Sequence, residues 1–257
     1  MAEPTPFNAW QALRESLRAV FADRRWPLKI GIGGALMLTL VGIIFPQGFL
    51  IEHLENSRRG FRTPLPLWHQ WMDKAVMGLL AVVFDFVYFV LPIIVTLVLL
   101  FCAIFPLLFN AESSSGLSVV VMVVVLGVVL GLSFLLSLSP LAKVNFSKEG
   151  EIEQNIGGRL LRRALDPLNR SLYRQARLAT LPLYVPALLL GGGLFELINR
   201  LATPIWLLLL LAWLLASALF WAWAVVSQVY LAAAQIAEDR EIDQRLASRR
   251  QSLDGRP

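Results

Sequence analysis

The sequence predicts an all-α integral membrane protein with four transmembrane helices. An N-terminal re-entrant or short membrane helix and amphipathic interfacial helices complete the expected architecture. Three observations lead there. Hydrophobic residues make up 57% of the chain and charged ones 16%, where an ordinary globular domain carries about 25% charged residues. The stretch Ala75–Phe109 holds a single charge, Asp85, and two prolines, Pro92 and Pro106; a bilayer crossing needs only about 20 apolar residues. The charges flank the apolar runs rather than interrupting them. The expected partner for a net charge of +5 is therefore a bilayer with anionic headgroups and not nucleic acid.

Residues 1–29 read as an amphipathic helix, with Trp10, Leu13, Leu17 and Phe21 on one stripe and Arg14 and Arg18 off it. They lack the basic start, short apolar core and small-residue cleavage site of a signal peptide. The run Ile30–Phe45 spans about 24 Å as helix, marginal for a crossing of about 30 Å. Pro46 is expected to end it, making 30–46 a re-entrant or short span. Gly31, Gly33 and Gly34 echo a nucleotide-binding pattern, but no strand precedes them, and close helix packing is the expected use. Phe49–Lys74 reads as a polar connector. Its Arg58, Arg59, Arg62, Trp68 and Trp71 are candidates to face lipid or a partner, since tryptophans favour the membrane boundary.

Ala75–Phe109 would run about 52 Å as one helix, so it is either one long kinked helix or two helices broken at Pro92. Leu117–Leu138 is the cleanest crossing, and its Gly127 and Gly131 form a small-xxx-small pattern for helix packing. Residues 147–177 read as cationic interfacial helices carrying Arg159, Arg162 and Arg163, divided where Asp166 caps a helix opened by Pro167. Spans at 178–198 and 204–231 form an antiparallel hairpin, kinked at Pro186 and broken at Gly191–Gly193. Residues 232–257 are expected as a cytoplasmic helical tail, disordered at its end.

Lys and Arg near crossings stay cytoplasmic. If 30–46 turns back and 75–109 crosses once, Arg200 alone of the 23 basic residues lies outside, and both termini are cytoplasmic. That is the topology expected, in a prokaryotic inner membrane. Asp85 and Tyr88 are then the intramembrane polar candidates, with Asp85 near the cytoplasmic interface and within reach of the connector arginines. His53 is expected to face solvent or headgroups, since its spacing from Glu52 and Glu55 matches no metal motif. No nucleophile elbow, phosphate loop or paired buried carboxylate stands out, and the single cysteine, Cys102, excludes an internal disulfide. No cofactor is expected. Two functions remain: a non-catalytic accessory, scaffold or assembly protein that meets other membrane subunits, or a small-solute or ion transporter using Asp85.

Gly48-Phe49, Arg58-Arg59-Gly60, Leu65-Pro66-Leu67-Trp68, Gly78, Tyr88 and Pro92 form a set, continued by Pro140-Leu141-Ala142, Gly150, Asp166-Pro167 and Tyr173. In these the chain resembles a family of multi-pass prokaryotic membrane proteins, domain of unknown function 4013. It departs at Leu67, where the family carries an acid. More distantly it looks like membrane domains found beside some glycerophosphodiester phosphodiesterases. The resemblance implies a fold and no activity.

Overall fold

One C-terminal helix of 50 residues, Ile205–Asp254, is the post against which most of the chain packs. The computed structural model describes residues 7–39, 41–110, 124–131, 138–150, 158–200 and 204–254, and among them the regular structure is entirely helical. In chain order the helices are α1 (Ala9–Phe21), α2 (Trp26–Met37), α3 (Ile44–Arg58), α4 (Trp71–Asp85), α5 (Leu91–Asn110), α6 (residues 124–131), α7 (Ser139–Glu149), α8 (Gly158–Leu165), α9 (Pro167–Thr180), α10 (Val185–Ile198) and α11, the post itself. Among the described residues, three helical stretches are long and apolar enough to cross a membrane: Trp71–Leu99, Pro167–Ile198 and Ile205–Ala247. Of the expected span Leu117–Leu138, residues 124–131 are described, as helix with Val124, Val128 and Leu130 exposed; the remainder lies outside the described residues, apart from Leu138.

Helix α1 starts where Asn8 accepts a hydrogen bond from the Gln11 amide at 3.1 Å. Its buried face differs from the expected stripe. Ala9, Ala12, Leu13, Ser16 and Val20 point inward, while Trp10 and Phe21 are exposed. The half-exposed Phe21 ring lies between Trp26, centroids 5.0 Å apart, and Trp221 of α11, at 6.3 Å.

Two corrections concern the next segment. Helix α2 ends at Met37, before the expected stop, where Thr39 donates to the Leu36 carbonyl and accepts from the Gly42 amide. Helix α3 then runs through Pro46 rather than stopping there. Proline in a first helical turn lacks an N–H that would have had no partner in any case. The supposed connector Phe49–Lys74 is therefore helix as far as Arg58, with Phe49, Leu50, Ile51 and Leu54 in the core. At 12 residues, α2 is about 18 Å long.

Ala75–Phe109 belongs to one continuous helix, α4 and α5 joined by a π-helical turn at Phe86–Val90. The turn sits just before Pro92, whose ring would otherwise press on the Tyr88 carbonyl. Pro186 likewise lies at the start of α10, which continues unbroken through Gly191–Gly193. Among the described residues the basic segment divides at Asp166-Pro167 as expected, into α8 and α9. Asp166 caps α9, its side chain accepting from the Leu168 amide at 3.1 Å with Pro167 in the first turn. The tail is no free appendage: α11 stays helical to Asp254, and Ala233, Ala234 and Ala237 are buried. Residues 255–257 lie outside the described residues.

Glycines set the closest approaches. A Cβ on Gly48 would lie 1.9 Å from the Lys74 carbonyl oxygen, and one on Gly78 would lie 1.8 Å from that of Ile44. So α3 and α4 cross backbone to backbone. On α2, a Cβ at Gly34 would meet the Ser217 backbone at 2.7 Å and one at Gly33 the Phe220 ring at 2.1 Å. Close packing is thus what the glycines of α2 do.

Candidate functional site

The charged groups nearest the apolar helices are gathered into clasps that each join separate elements. In the first, Lys29 Nζ pairs with Asp23 at 2.6 Å and donates to the Leu65 carbonyl at 2.7 Å. Trp68 Nε1 closes it by donating to the Lys29 carbonyl at 2.9 Å. Burial raises the Asp23 pKa, but the Lys29 bond, the Arg25 amide and both neighbouring positive charges outweigh it. The carboxyl is held below its ordinary value and stays ionised.

In the second clasp, Lys74 at the start of α4 pairs with Glu52 of α3 and donates to the His69 carbonyl at 2.8 Å. The third binds three helices. Lys143 Nζ of α7 meets Gln47 Oε1 of α3 at 2.7 Å and Asp85 Oδ2 of α4 at 2.8 Å. Ser139 Oγ donates to the other Asp85 oxygen, and the Trp223 ring lies 5.8 Å from the ammonium. A fourth clasp holds α11 to the basic helices. Lys148 pairs with Glu238 at 2.7 Å, Arg163 Nε with Glu241 at 2.9 Å, and Asn169 donates to Glu241 at 3.1 Å.

The candidate residues distribute unevenly over this arrangement. Asp85 is in a clasp, but its partner is Lys143 and not a connector arginine. Lys143 takes that place because α7 packs against α3, α4 and α11 together. Tyr88 is partly buried against the core, one turn beyond Asp85. Arg58 donates to the Val144 carbonyl at 2.8 Å, and Arg59 pairs with Glu55 one turn back. Arg62 and Arg162 are exposed, whereas Arg163 is taken up by α11. The Arg159 side chain lies outside the described residues.

Trp68 stacks between Phe49, ring centroids 4.6 Å apart, and Trp71, at 5.5 Å. It is therefore a core anchor and only partly a surface ring. Around Gly127 and Gly131 no described atom lies within 4 Å of a built Cβ. His53 is buried, contrary to the exposure expected of it. Its ring faces the Pro64 and Ala224 carbonyls without a well-formed hydrogen bond, and burial pushes its pKa down to about 4. Glu52 and Glu55 turn away to Lys74 and Arg59, and among the described residues no group of three His, Cys, Asp or Glu could hold a metal.

Lys29, Lys74, Lys143 and Gln47 are the members that sequence reasoning missed. One signal was present: each lysine stands alone at the edge of, or inside, an apolar run, where an unpaired ammonium would be costly. Counting them as flanking charge concealed that each needs a partner.

The family model for a protein of unknown function, DUF4013, matches residues 32–164, more than half of the chain. The chain belongs to the DUF4013 family. No curated protein and no solved structure matches it. The matched region contains all of the third clasp apart from the Trp223 ring, and the whole second clasp. In this DUF4013 protein Gly48 and Gly78 make the α3–α4 crossing, Leu65 and Trp68 close the Lys29 clasp, and Leu67 is exposed.

Proposed function

We propose that this is a non-catalytic integral membrane protein acting as an accessory, scaffold or assembly component, in a prokaryotic cytoplasmic membrane with both termini inside. The observation that carries this reading is the fate of the lysines. Lys29, Lys74 and Lys143 are each tied to a carboxylate and a second acceptor, at least one of the two on a distant segment of the chain. Such pairs brace helices against one another, and leaving one partner alone would cost about 3–5 kcal/mol. The concentration of Lys and Arg outside the apolar stretches supports the sidedness. Its partners are the anionic headgroups of the bilayer and other membrane subunits, and no cofactor is required.

The test is purification in mild detergent from the native host after cross-linking, together with flux assays on the pure protein in liposomes. A stable co-purifying membrane protein and no solute movement are expected. A specific flux would overturn the reading.

One observation favours the alternative, a small-solute or ion transporter. Asp85 keeps part of its side chain exposed beside the π-turn at Phe86–Val90, and such turns recur at functional sites. Under that reading Asp85→Asn abolishes a flux that the unaltered protein shows; under the scaffold reading there is no flux to abolish.

A further inference from the structure

Helices α9 and α10 form one continuous rod, Pro167–Ile198, through a 3-10 turn at Leu181–Tyr184. Along its exposed side the chemistry changes in order: Arg170 and Arg174, then Leu178, then Val185, Leu188 and Leu189. Arg170, Arg174 and Leu178 follow at four-residue spacing and so share a face. No carboxylate occurs between Asp166 and Glu196. That is the order water, headgroup, hydrocarbon would impose on a helix entering a bilayer.

Where guanidinium gives way to leucine, the start of α1 lies alongside and leaves a groove of about 430 Å³. Phe7, Trp10, Leu178 and Ala179 line it, together with polar Asn8 and Gln175. The volume falls in the range of ligand clefts, about 300–1,000 Å³. Trp10 and Leu178 are 58% and 54% exposed, so the lips are apolar and open. Arg174 stands exposed one helical turn from Leu178 on the basic side of the groove, with Arg170 one turn further on the same face. The nearest acid on α1, Glu15, accepts a bond from Gln11 at 2.9 Å.

We propose that this groove seats one anionic phospholipid of the surrounding leaflet. Its glycerol and upper acyl chain lie between Phe7, Trp10 and Leu178, and its phosphate lies toward Arg174 and Arg170 at the basic end of the rod. A soluble phosphorylated partner would satisfy the arginines but leave the apolar lips and the leucine face beyond them uncovered. A lipid covers both, because its charge and its chain are joined in the same order as the surface. The proposal depends on the membrane reading of the chain and not on the scaffold role, which cross-linking tests separately.

The experiment is native mass spectrometry of the full chain in detergent, titrated with phosphatidylglycerol or phosphatidylcholine of equal chain length. One phosphatidylglycerol should be retained with a preference of about tenfold over phosphatidylcholine. R170Q/R174Q should lose that preference with unchanged helicity and elution volume. Gln175→Trp, which fills the groove without touching an arginine, should weaken retention of both lipids. Inorganic phosphate at millimolar concentration should displace neither. Equal retention of the two lipids by the unaltered protein, a preference that survives R170Q/R174Q, retention indifferent to Gln175→Trp, or displacement by inorganic phosphate would each overturn the proposal.

Discussion

Helices α3 and α10 have nearly equal lengths, 15 and 14 residues, and opposite fates. α10 is almost wholly apolar, yet only Ala187 in it is buried. α3 carries Gln47, Glu52, His53 and Glu55, yet buries an unbroken run from Pro46 to Ile51 and then His53 and Leu54. In water the more apolar helix would be the more buried. The inversion teaches that the two helices meet different surroundings. The outward leucines of α10 suit a hydrocarbon medium, on a stretch long and apolar enough to cross a membrane, while α3 is held by protein through the Gly48 crossing and the paired lysines. Candidate spans and clasped core are therefore stabilised by different physics.

The strongest way to break that comparison is at Lys143. Lys143→Met leaves Asp85 without its ammonium, and a loss of about 3–5 kcal/mol is expected in unfolding from bicelles. A loss confined to less than 1 kcal/mol would mean that the clasp is ornamental. Adding Asp85→Asn should recover part of it, since the uncompensated charge is then gone.

Next, truncation should separate the two helices directly. Leu54→Ala opens a cavity in the core and should cost about 2–5 kcal/mol. Leu188→Ala, on the exposed side of α10, should change stability by less than about 0.5 kcal/mol. Equal costs would show that another surface covers α10.

His53 gives the comparison a pH signature. Its folded pKa, about 4, lies below the ordinary value of about 6.5. Stability is therefore full above pH 6.5, where both states are neutral. It declines as pH falls from 6.5 to 4, because the unfolded chain takes up the proton first. The expected total is about 3 kcal/mol, and His53→Gln should remove this component from the profile of melting temperature against pH.

The smallest effect sharpens a boundary. Asp166→Ala removes the cap at the start of the α9–α10 rod and should cost about 1 kcal/mol, read as a slightly lower melting temperature.

Much of this was open to reading from residues alone. The all-helical class follows from composition, and the cap and first turn at Asp166-Pro167 follow from local chemistry that needs no tertiary contact. The packing role of Gly31–Gly34 was legible because an apolar helix with adjacent glycines has little other use for them. Two readings fail where local chemistry is not enough. Proline is costly in a helix interior, but whether Pro46 stands in an interior or a first turn depends on where the preceding turn falls. A histidine among charges usually faces water, but the His53 ring faces the Pro64 and Ala224 carbonyls, which only the tertiary structure brings to it.

By itself, then, the sequence determined the helical character, the apolar stretches long enough to span a membrane, and the caps, since all of these depend on neighbours within a turn or on composition. Which polar residues are buried, and with whom, was decided only in the tertiary structure. Lys143 and Asp85 are 58 residues apart, and a pair at that separation leaves no trace in local periodicity. It exists because the Gly48–Gly78 crossing brings α3 and α4 together tightly enough for α7 to close over both.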